Sequence, residues 1–160
     1  MGDAQLLRRD YSSEYYPTGS QVDEDIQRHM VRYYTAVDTL GAHEEYALSF
    51  ARDAVLTLPN GSSVRGHDDL RALHQNMWHD VESRYHRPLK VFHGGNPTPS
   101  DTTTGSSTEV VVIGSVEYWS KTGACTKKNM ASYFQLQKAP DDAVGGGGGV
   151  RIRSLAVWLS

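Results

Sequence analysis

The sequence contains a single cysteine, Cys125, so it can form no internal disulfide and no cysteine-based zinc cluster. It also lacks a long apolar run. The longest aliphatic stretch is VVVI at 110–113, whereas a membrane-spanning helix needs roughly 20 apolar residues. Positive charge is not in excess, because 16 Lys and Arg are set against 19 Asp and Glu, for a net charge of −3. This balance disfavours binding to nucleic acid through phosphate neutralisation, and it gives no general attraction to anionic membranes.

Targeting signals are also missing from the first residues. They contain no apolar segment of the secretory type, and Leu6 stands where a myristoylation motif has Ser or Thr. A length of 160 residues suits one domain with its own core. We therefore expect a reduced, cytoplasmic protein with a polar arm at 1–20 and one domain at 21–160.

Apolar periodicity predicts three helices in the first half of the chain. The first runs from about Val22 to Leu40, with apolar residues every three or four positions and Gly41 placed to end it. A short second helix is expected at 43–50. The third opens at Gly66, and its apolar stripe comprises Leu70, Leu73, Met77 and Val81.

Strand patterns dominate the rest of the sequence. Strands are predicted at 54–58, 64–65, 85–93, 109–120, 127–137 and 150–159. The segments 96–107 and 141–149 are low-complexity loops, and the five glycines of the second lack the Lys and Ser/Thr of a phosphate-binding loop. Helices first and strands later, with short connections, predict an α+β fold with a mostly antiparallel sheet. If that sheet is curved, helices on one face would enclose a pocket.

Two polar residues of the first helix are candidates for chemistry. Tyr34 and Asp38 are four residues apart, so a helix places them on one side, beside the apolar stripe. A buried tyrosine hydroxyl can donate to a developing enolate, and a buried carboxyl can act as acid or base. The alternatives are structural: Tyr34 in the core and Asp38 solvated at the helix end.

A third candidate, His86, lies in a predicted strand two residues after Arg84. Residues two apart in a strand share a face, so both can face the pocket. Imidazole is well suited to shuttle protons near neutral pH, and Arg84 would bind an oxyanion or orient Asp38. The alternative is that His86 is a structural histidine. Glu117 is also unusual in an apolar strand, although an exposed sheet face is its simpler explanation.

Other catalytic chemistries find no support in the sequence. The seven histidines include no His-Glu-x-x-His motif and no pair four residues apart, so no metal site is expected. There is no Gly-x-Ser-x-Gly motif, and Cys125 lies beside a turn with no obvious base.

Three stretches carry a resemblance to a known family. They are residues 29–58 (HMVRYYTAVDTLGAHEEYALSFARDAVLTL), 77–92 (MWHDVESRYHRPLKVF) and 113–123 (IGSVEYWSKTG). They resemble the SnoaL-like branch of the nuclear-transport-factor-2-like (NTF2-like) superfamily, which is common in fungal biosynthetic pathways. The resemblance covers about residues 22–160.

The resemblance implies a cone-shaped α+β fold, in which a curved, mostly antiparallel sheet wraps around a long N-terminal helix. Two further helices and one deep pocket complete that fold, and the family uses neither metal nor organic cofactor. Its members include isomerases, polyketide cyclases and dehydratases, and also binding modules without catalysis. The fold alone therefore does not determine the function.

The resemblance also implies roles for individual positions. Tyr34 falls where the isomerase has its oxyanion-donating tyrosine, Asp38 where the dehydratase has a pocket aspartate, and His86 near a catalytic histidine of scytalone dehydratase. The isomerase's base and its second oxyanion acid fall at Leu58 and Ser132, so ketosteroid-type isomerisation by that pair is not expected. The second histidine of the dehydratase has no clear counterpart.

We therefore predict that Tyr34, Asp38 and His86 are catalytic. The residues predicted to bind substrate are Trp78, Arg84, Glu117, Trp119, Met130 and Ser132. For Trp78, an ordinary core position is the alternative.

The expected function is a cofactor-independent enzyme of secondary metabolism. It would isomerise, cyclise, dehydrate or rearrange an apolar, oxygenated natural-product intermediate. The alternative is a non-catalytic small-molecule carrier or a dimeric protein-binding module of the same fold. No nucleic-acid or membrane partner is expected. A homodimer through the outer sheet face is expected, with Tyr118, Trp119 and Trp158 available to that face.

Overall fold

The computed structural model describes Tyr11 and residues 24–94, 108–138 and 149–160. Most of the expected arm at 1–20, the loop at 96–107 and residues 141–148 of the glycine-rich loop lie outside the described residues. The described helices are α1 (Glu24–Val37), α2 (His43–Leu48) and α3 (Gly66–Asn76). The described strands are β1 (Phe50–Thr57), β2 (Ser63–Arg65), β3 (Val81–Gly94), β4 (Thr108–Ser120), β5 (Cys125–Lys138) and β6 (Val150–Leu159).

The first helix ends earlier than the sequence predicts. Glu24 and Asp25 lie in its first turn, where the helix dipole favours acidic side chains. The helix stops at Val37 instead of continuing to Leu40, which is 65% exposed. Gly41 has a φ of 87°, a left-handed conformation that glycine adopts without strain. The chain therefore turns before the last predicted apolar position, and this turn holds Asp38.

The third helix is also shorter than its apolar stripe predicts. It ends at Asn76, and Met77 caps it. Val81, the last member of the predicted stripe, instead begins β3, where it pairs with Ser120. Val81 is four residues after Met77 and so fits the helical spacing, but its backbone pairs with β4 and is therefore extended.

The six strands form one sheet in the order β2-β1-β6-β5-β4-β3. In this sheet β1 and β6 run parallel, and the other neighbouring strands run antiparallel. The sheet is open and curved, and the three helices pack with it in the α+β arrangement of a cone. The predicted fold class, an α+β cone with a mostly antiparallel sheet, is confirmed.

Aromatic side chains fill the space between α1 and the inner face of the sheet. The centre of the Tyr33 ring lies 5.4 Å from that of Phe134 and 5.9 Å from that of Phe50, in edge-to-face contacts. Along β5 the buried side chains alternate with less buried ones from Met130 to Leu136, and these buried side chains face the core. No helix in the described part of the chain has the length and apolar content needed to cross a membrane.

Candidate active site

Asp38 lies in the turn that follows α1, and its carboxylate is almost completely buried, with 1% of the side chain exposed. Oδ1 lies 2.6 Å from Nδ1 of His86, and Oδ2 accepts a hydrogen bond of 2.8 Å from the backbone N–H of His86. The Tyr11 hydroxyl also donates to Oδ2. Three donors thus compensate the burial of one carboxylate, and they hold it in a single orientation.

His86 is placed by an edge strand of the sheet. Strand β3 pairs only on its β4 side within the described sheet, so the backbone N–H of His86 is available to Asp38. A carboxylate accepts hydrogen bonds, so the proton between the two side chains resides on Nδ1 when the imidazole is neutral. The remaining nitrogen, Nε2, then carries a lone pair. This is the arrangement in which an aspartate orients a histidine as a general base.

A central cavity of about 130 Å³ lies in the cone beside His86. Its walls are mainly apolar, and a few polar side chains converge on it. The lining residues are Tyr33, Val37, Tyr46, Leu56, Leu58, Pro59, Met77, Arg84, His86, Tyr118, Val157 and Leu159. An apolar cavity with a few convergent polar groups is the usual form of a small-molecule site.

Arg84 brings a buried positive charge to the same wall as His86. It is 4% exposed, its Nη2 donates to the backbone carbonyl of Met77 at 2.8 Å, and its guanidinium lies 5.0 Å from the centre of the Trp78 ring. Burial lowers the pKa of Arg84 from its usual value. No carboxylate lies within ion-pairing distance of Arg84 among residues 24–94, 108–138 and 149–160. The guanidinium is therefore fixed by neutral groups, and its charge is available to a ligand.

Three tyrosines of the cavity wall keep their protons. Burial raises the pKa of Tyr33, Tyr46 and Tyr118, and for Tyr33 the neighbouring Tyr46 adds to the effect. The Tyr118 ring also lies 5.6 Å from the guanidinium carbon of Arg84. Neutral tyrosine hydroxyls can donate hydrogen bonds to an oxygen atom of a bound molecule.

The structure places the three predicted catalytic residues close together, although in different settings. Asp38 and His86 are directly hydrogen bonded. Tyr34 is buried, and its ring centre lies 5.7 Å from that of His86 and 5.9 Å from that of Tyr11. Tyr34 does not belong to the described lining of the central cavity. Its predicted oxyanion role stays a prediction, and its neighbour Tyr33 is the tyrosine of α1 that reaches the cavity.

The predicted substrate-binding residues also occupy different settings. Arg84 lines the cavity, whereas Trp78 packs behind the guanidinium and supports it. Glu117 faces outward from the sheet, with Oε1 at 3.6 Å from Nε of Arg87 and 3.7 Å from Nζ of Lys127. This placement agrees with the simpler explanation of an acidic residue on an exposed face. Trp119 has the same strand parity as Glu117, and so points to the outer face as well.

The last two predicted substrate-binding residues, Met130 and Ser132, point to the inner face of the sheet. They are buried, each 3% exposed. Neither is among the residues that line the central cavity, so we assign both to the core.

Sequence reasoning missed several residues of this site. Tyr118 was expected on the outer face together with Trp119, and this was wrong, because neighbouring residues in a strand point to opposite faces. Parity with the buried Val116 would have placed Tyr118 inside. Tyr46 gave no comparable signal, and neither did Tyr11, which lies 27 residues from Asp38 in the chain.

Metal ligands are not clustered in the described part of the chain. None of its His, Cys, Asp and Glu side chains form a group of three or more that could hold a metal ion. The His43 and His74 side chains are in contact, with their Nδ1 atoms 2.7 Å apart, and burial lowers the pKa of His74 to about 4. This pair joins α2 to α3, and the Trp78 indole donates to Nε2 of His74 at 3.4 Å.

The fold is that of the NTF2-like and ketosteroid isomerase-like proteins, as predicted. No protein-family model matches the sequence, and no curated protein matches it significantly. A protein of Novosphingobium aromaticivorans, provisionally named an aromatic ring hydroxylase, has a TM-score of 0.70 and 20% identity, over 86% of this chain and 90% of that one.

Two further solved structures agree. A provisionally named scytalone dehydratase from the same organism has a TM-score of 0.67 at 12% identity, over 86% of this chain and 83% of that one. A provisionally named NTF2-like dehydratase from Streptomyces avermitilis has a TM-score of 0.65 at 13% identity, over 86% and 94%. At these identities the likeness shows the fold and leaves the reaction open.

Proposed function

We propose that this protein is a cofactor-independent enzyme that moves a proton on a small, largely apolar carbonyl compound bound in the central cavity. One observation carries the proposal: the buried Asp38 carboxylate fixes the His86 imidazole at the wall of an apolar cavity that also contains the Arg84 guanidinium. A base and a positive charge at one cavity suit chemistry in which an enolate forms and then collapses.

His86 is the proposed proton carrier. With Nδ1–H bound to Asp38, Nε2 removes a proton from the carbon next to the substrate carbonyl. The buried carboxylate stabilises the imidazolium that results, and it prevents the ring from rotating away. Nε2–H then returns the proton to a different carbon in an isomerisation, or to a departing hydroxyl in a dehydration.

Arg84 is proposed to stabilise the enolate oxygen. A fixed charge in a site that excludes water stabilises a developing oxyanion more strongly than the same charge in solvent. Tyr118 lies beside the guanidinium and can add a neutral donor to the same oxygen. The aliphatic walls, with Leu58 and Val157 among them, favour an apolar substrate body, which fits an intermediate of secondary metabolism.

The proposal can be tested without the natural substrate. We would follow exchange of the α-protons of 2-tetralone, an apolar ketone, by ¹H NMR in D₂O. His86→Ala should reduce the exchange rate by about 100-fold or more, because a positioned general base contributes roughly 10²–10⁴-fold. Asp38→Asn should also reduce it, since the amide cannot stabilise the imidazolium. His79→Ala is the matched control, because His79 is exposed and bonded to an exposed Asp80.

The carrier alternative predicts a different result. A carrier would bind 2-tetralone with saturable shifts of cavity resonances, while exchange would not exceed that with the His86→Ala variant. Exchange that is equal in the wild type and in both variants would refute the catalytic proposal.

A further inference from the structure

A second cavity, of about 520 Å³, is lined by different residues of α1 from those that line the central one. We call it the outer cavity. It is lined by residues of α1, of α2 with its flanking residues, and of the start of β6. These residues are His29, Val31, Arg32, Thr35, Ala36, Thr39, Ala42, Glu45, Leu48, Ser49 and Arg151. None of them belongs to the described lining of the central cavity, so the two cavities are separate sites.

His29 is the most unusual residue of the outer cavity. It is 4% exposed, and its Nε2 is buried with no hydrogen-bond partner among the described residues. Burial first, and then the positive charge of Arg151, lower the pKa of His29 to about 4. The ring is therefore neutral at pH 7. A buried polar atom without a partner has lost its hydrogen bonds to water, so a ligand that bonds to it recovers free energy on binding.

Two arginines give the outer cavity its charge. Arg32 is exposed on α1 and Arg151 is half-buried on β6, where its Nη1 donates to the carbonyl of Val150. Within the described chain, neither guanidinium has a carboxylate within 4 Å. Glu45 also lines the cavity and lowers its net charge, which remains positive with two arginines against one glutamate.

The other lining residues are apolar side chains or hydroxyls bonded to a backbone carbonyl one turn earlier. The apolar ones are Val31, Ala36, Ala42 and Leu48. The hydroxyls are those of Thr35, Thr39 and Ser49. Leu48 is 38% exposed although it is aliphatic. The outer cavity therefore combines a cationic rim, a buried hydrogen-bonding nitrogen and an apolar surface. Its volume lies in the usual range of small-molecule sites, roughly 300–1,000 Å³.

We infer that the outer cavity binds a small amphipathic carboxylate, whose anionic group lies at Arg32 and Arg151 and whose hydroxyl bonds to His29. A hydroxyl both donates and accepts, so it suits either tautomer of a neutral imidazole. Guanidinium groups bind carboxylates with two parallel hydrogen bonds, which favours a carboxylate over a neutral ligand. The inference does not depend on the proposed catalytic function.

The probe for this inference is 3-hydroxy-2-naphthoate, a fluorescent aromatic hydroxy acid. We would titrate it into the full-length protein and map the site by ¹⁵N NMR. The amide resonances of Leu48, of Arg151 and of the α1 residues that line the outer cavity should shift, whereas those of residues around His86 should not. Arg32→Gln, at an exposed helix position where folding is not at risk, and Arg151→Gln should each weaken binding by about 10-fold, the loss of one charge-assisted hydrogen bond.

Two controls complete the experiment. Arg153→Gln removes an exposed arginine two positions further along β6, and it should leave the affinity unchanged. His29→Phe should weaken the hydroxy acid more than 2-naphthoate, which lacks the hydroxyl. Shifts confined to the central cavity would overturn the inference, as would an affinity equal in the wild type, Arg32→Gln and Arg151→Gln. A wild type that binds the naphthoate but exchanges tetralone protons no faster than its His86→Ala variant would refute only the catalytic proposal.

Discussion

At the scale of single residues, Asp38 is the point where three segments of the chain meet. It follows α1, it accepts two hydrogen bonds from His86 of β3, and it accepts one from Tyr11. Tyr11 is only 6% exposed, and its ring stacks on Tyr34. Each further hydrogen bond that the Asp38 carboxylate accepts weakens the other hydrogen bonds that it accepts. We therefore expect Tyr11 to act as a positioning residue for the Asp38–His86 pair.

The corresponding variant is Tyr11→Phe, which keeps the ring and removes the donor. Tetralone exchange should fall by up to about 10-fold, the equivalent of one hydrogen bond to a charged group. The ring ¹H and ¹⁵N resonances of His86 should also shift, because the carboxylate bonded to its Nδ1 has lost one donor. Exchange rates and ¹H–¹⁵N spectra of the imidazole would measure both effects.

Tyr133→Phe is the matched control for this variant. It also removes a hydroxyl bonded to a carboxylate, that of Glu109 at 2.6 Å, but on the outer face of the sheet. It should change neither the exchange rate nor the His86 resonances. Unchanged His86 resonances in Tyr11→Phe would show that Tyr11 has only a structural role.

At the scale of elements, the close pairing of β3 with β4 is what places Arg84 and His86 on the cavity wall. Gly114 lies opposite Pro88, beside the register shift between Pro88 and Lys90. A Cβ at Gly114 would lie 2.2 Å from the carbonyl oxygen of Arg87. This contact with backbone cannot be relieved by a side-chain movement. Glycine is therefore required at this point of the strand pair.

We expect Gly114→Ala to destabilise the protein by about 2 kcal/mol or more, as for overpacked sites, and to reduce tetralone exchange by moving β3. Chemical denaturation would measure the free energy of unfolding. Gly94→Ala, on the same strand pair, is the control, because its Cβ would have ordinary contacts at 3.6 Å. Equal stability of the two variants would contradict the argument.

At the scale of the whole molecule, the outer sheet face carries exposed apolar side chains in neighbouring cross-strand rows. One row contains Phe92, Val111, Tyr133 and Ala156, and the next contains Ile113, Ala131 and Trp158. Phe92 is 53% exposed and Trp158 is 55% exposed. Beside these rows, Glu117 lies near Arg87 and Lys127, so both signs of charge are present. A face with both features suits pairing with a second copy.

We therefore expect a homodimer through this face. Trp158→Glu should shift the protein to a monomer in sedimentation velocity, because a carboxylate would be buried without a partner in the dimer. Leu40→Glu alters another exposed apolar residue, 65% exposed and on the helical side, and should leave the dimer intact. A wild type that sediments as a monomer at high concentration would refute this expectation.

The sequence by itself determined the order of helices and strands, the mostly antiparallel sheet and the placement of Arg84 and His86 on the same face of one strand. These features follow from local periodicity and strand parity, which are properties of neighbouring residues. Local spacing also led to errors, at Leu40 and Val81, where a turn and a strand partner replaced the expected helical continuation.

Only the tertiary structure decided which polar groups meet. Asp38 and His86 are 48 residues apart, and Tyr11 reaches Asp38 from another segment, so no local pattern encodes their contacts. The same holds for the outer cavity, where α1, α2 and β6 leave His29 buried without a described partner. Burial and long-range contact depend on how the elements pack, and packing depends on the whole chain at once.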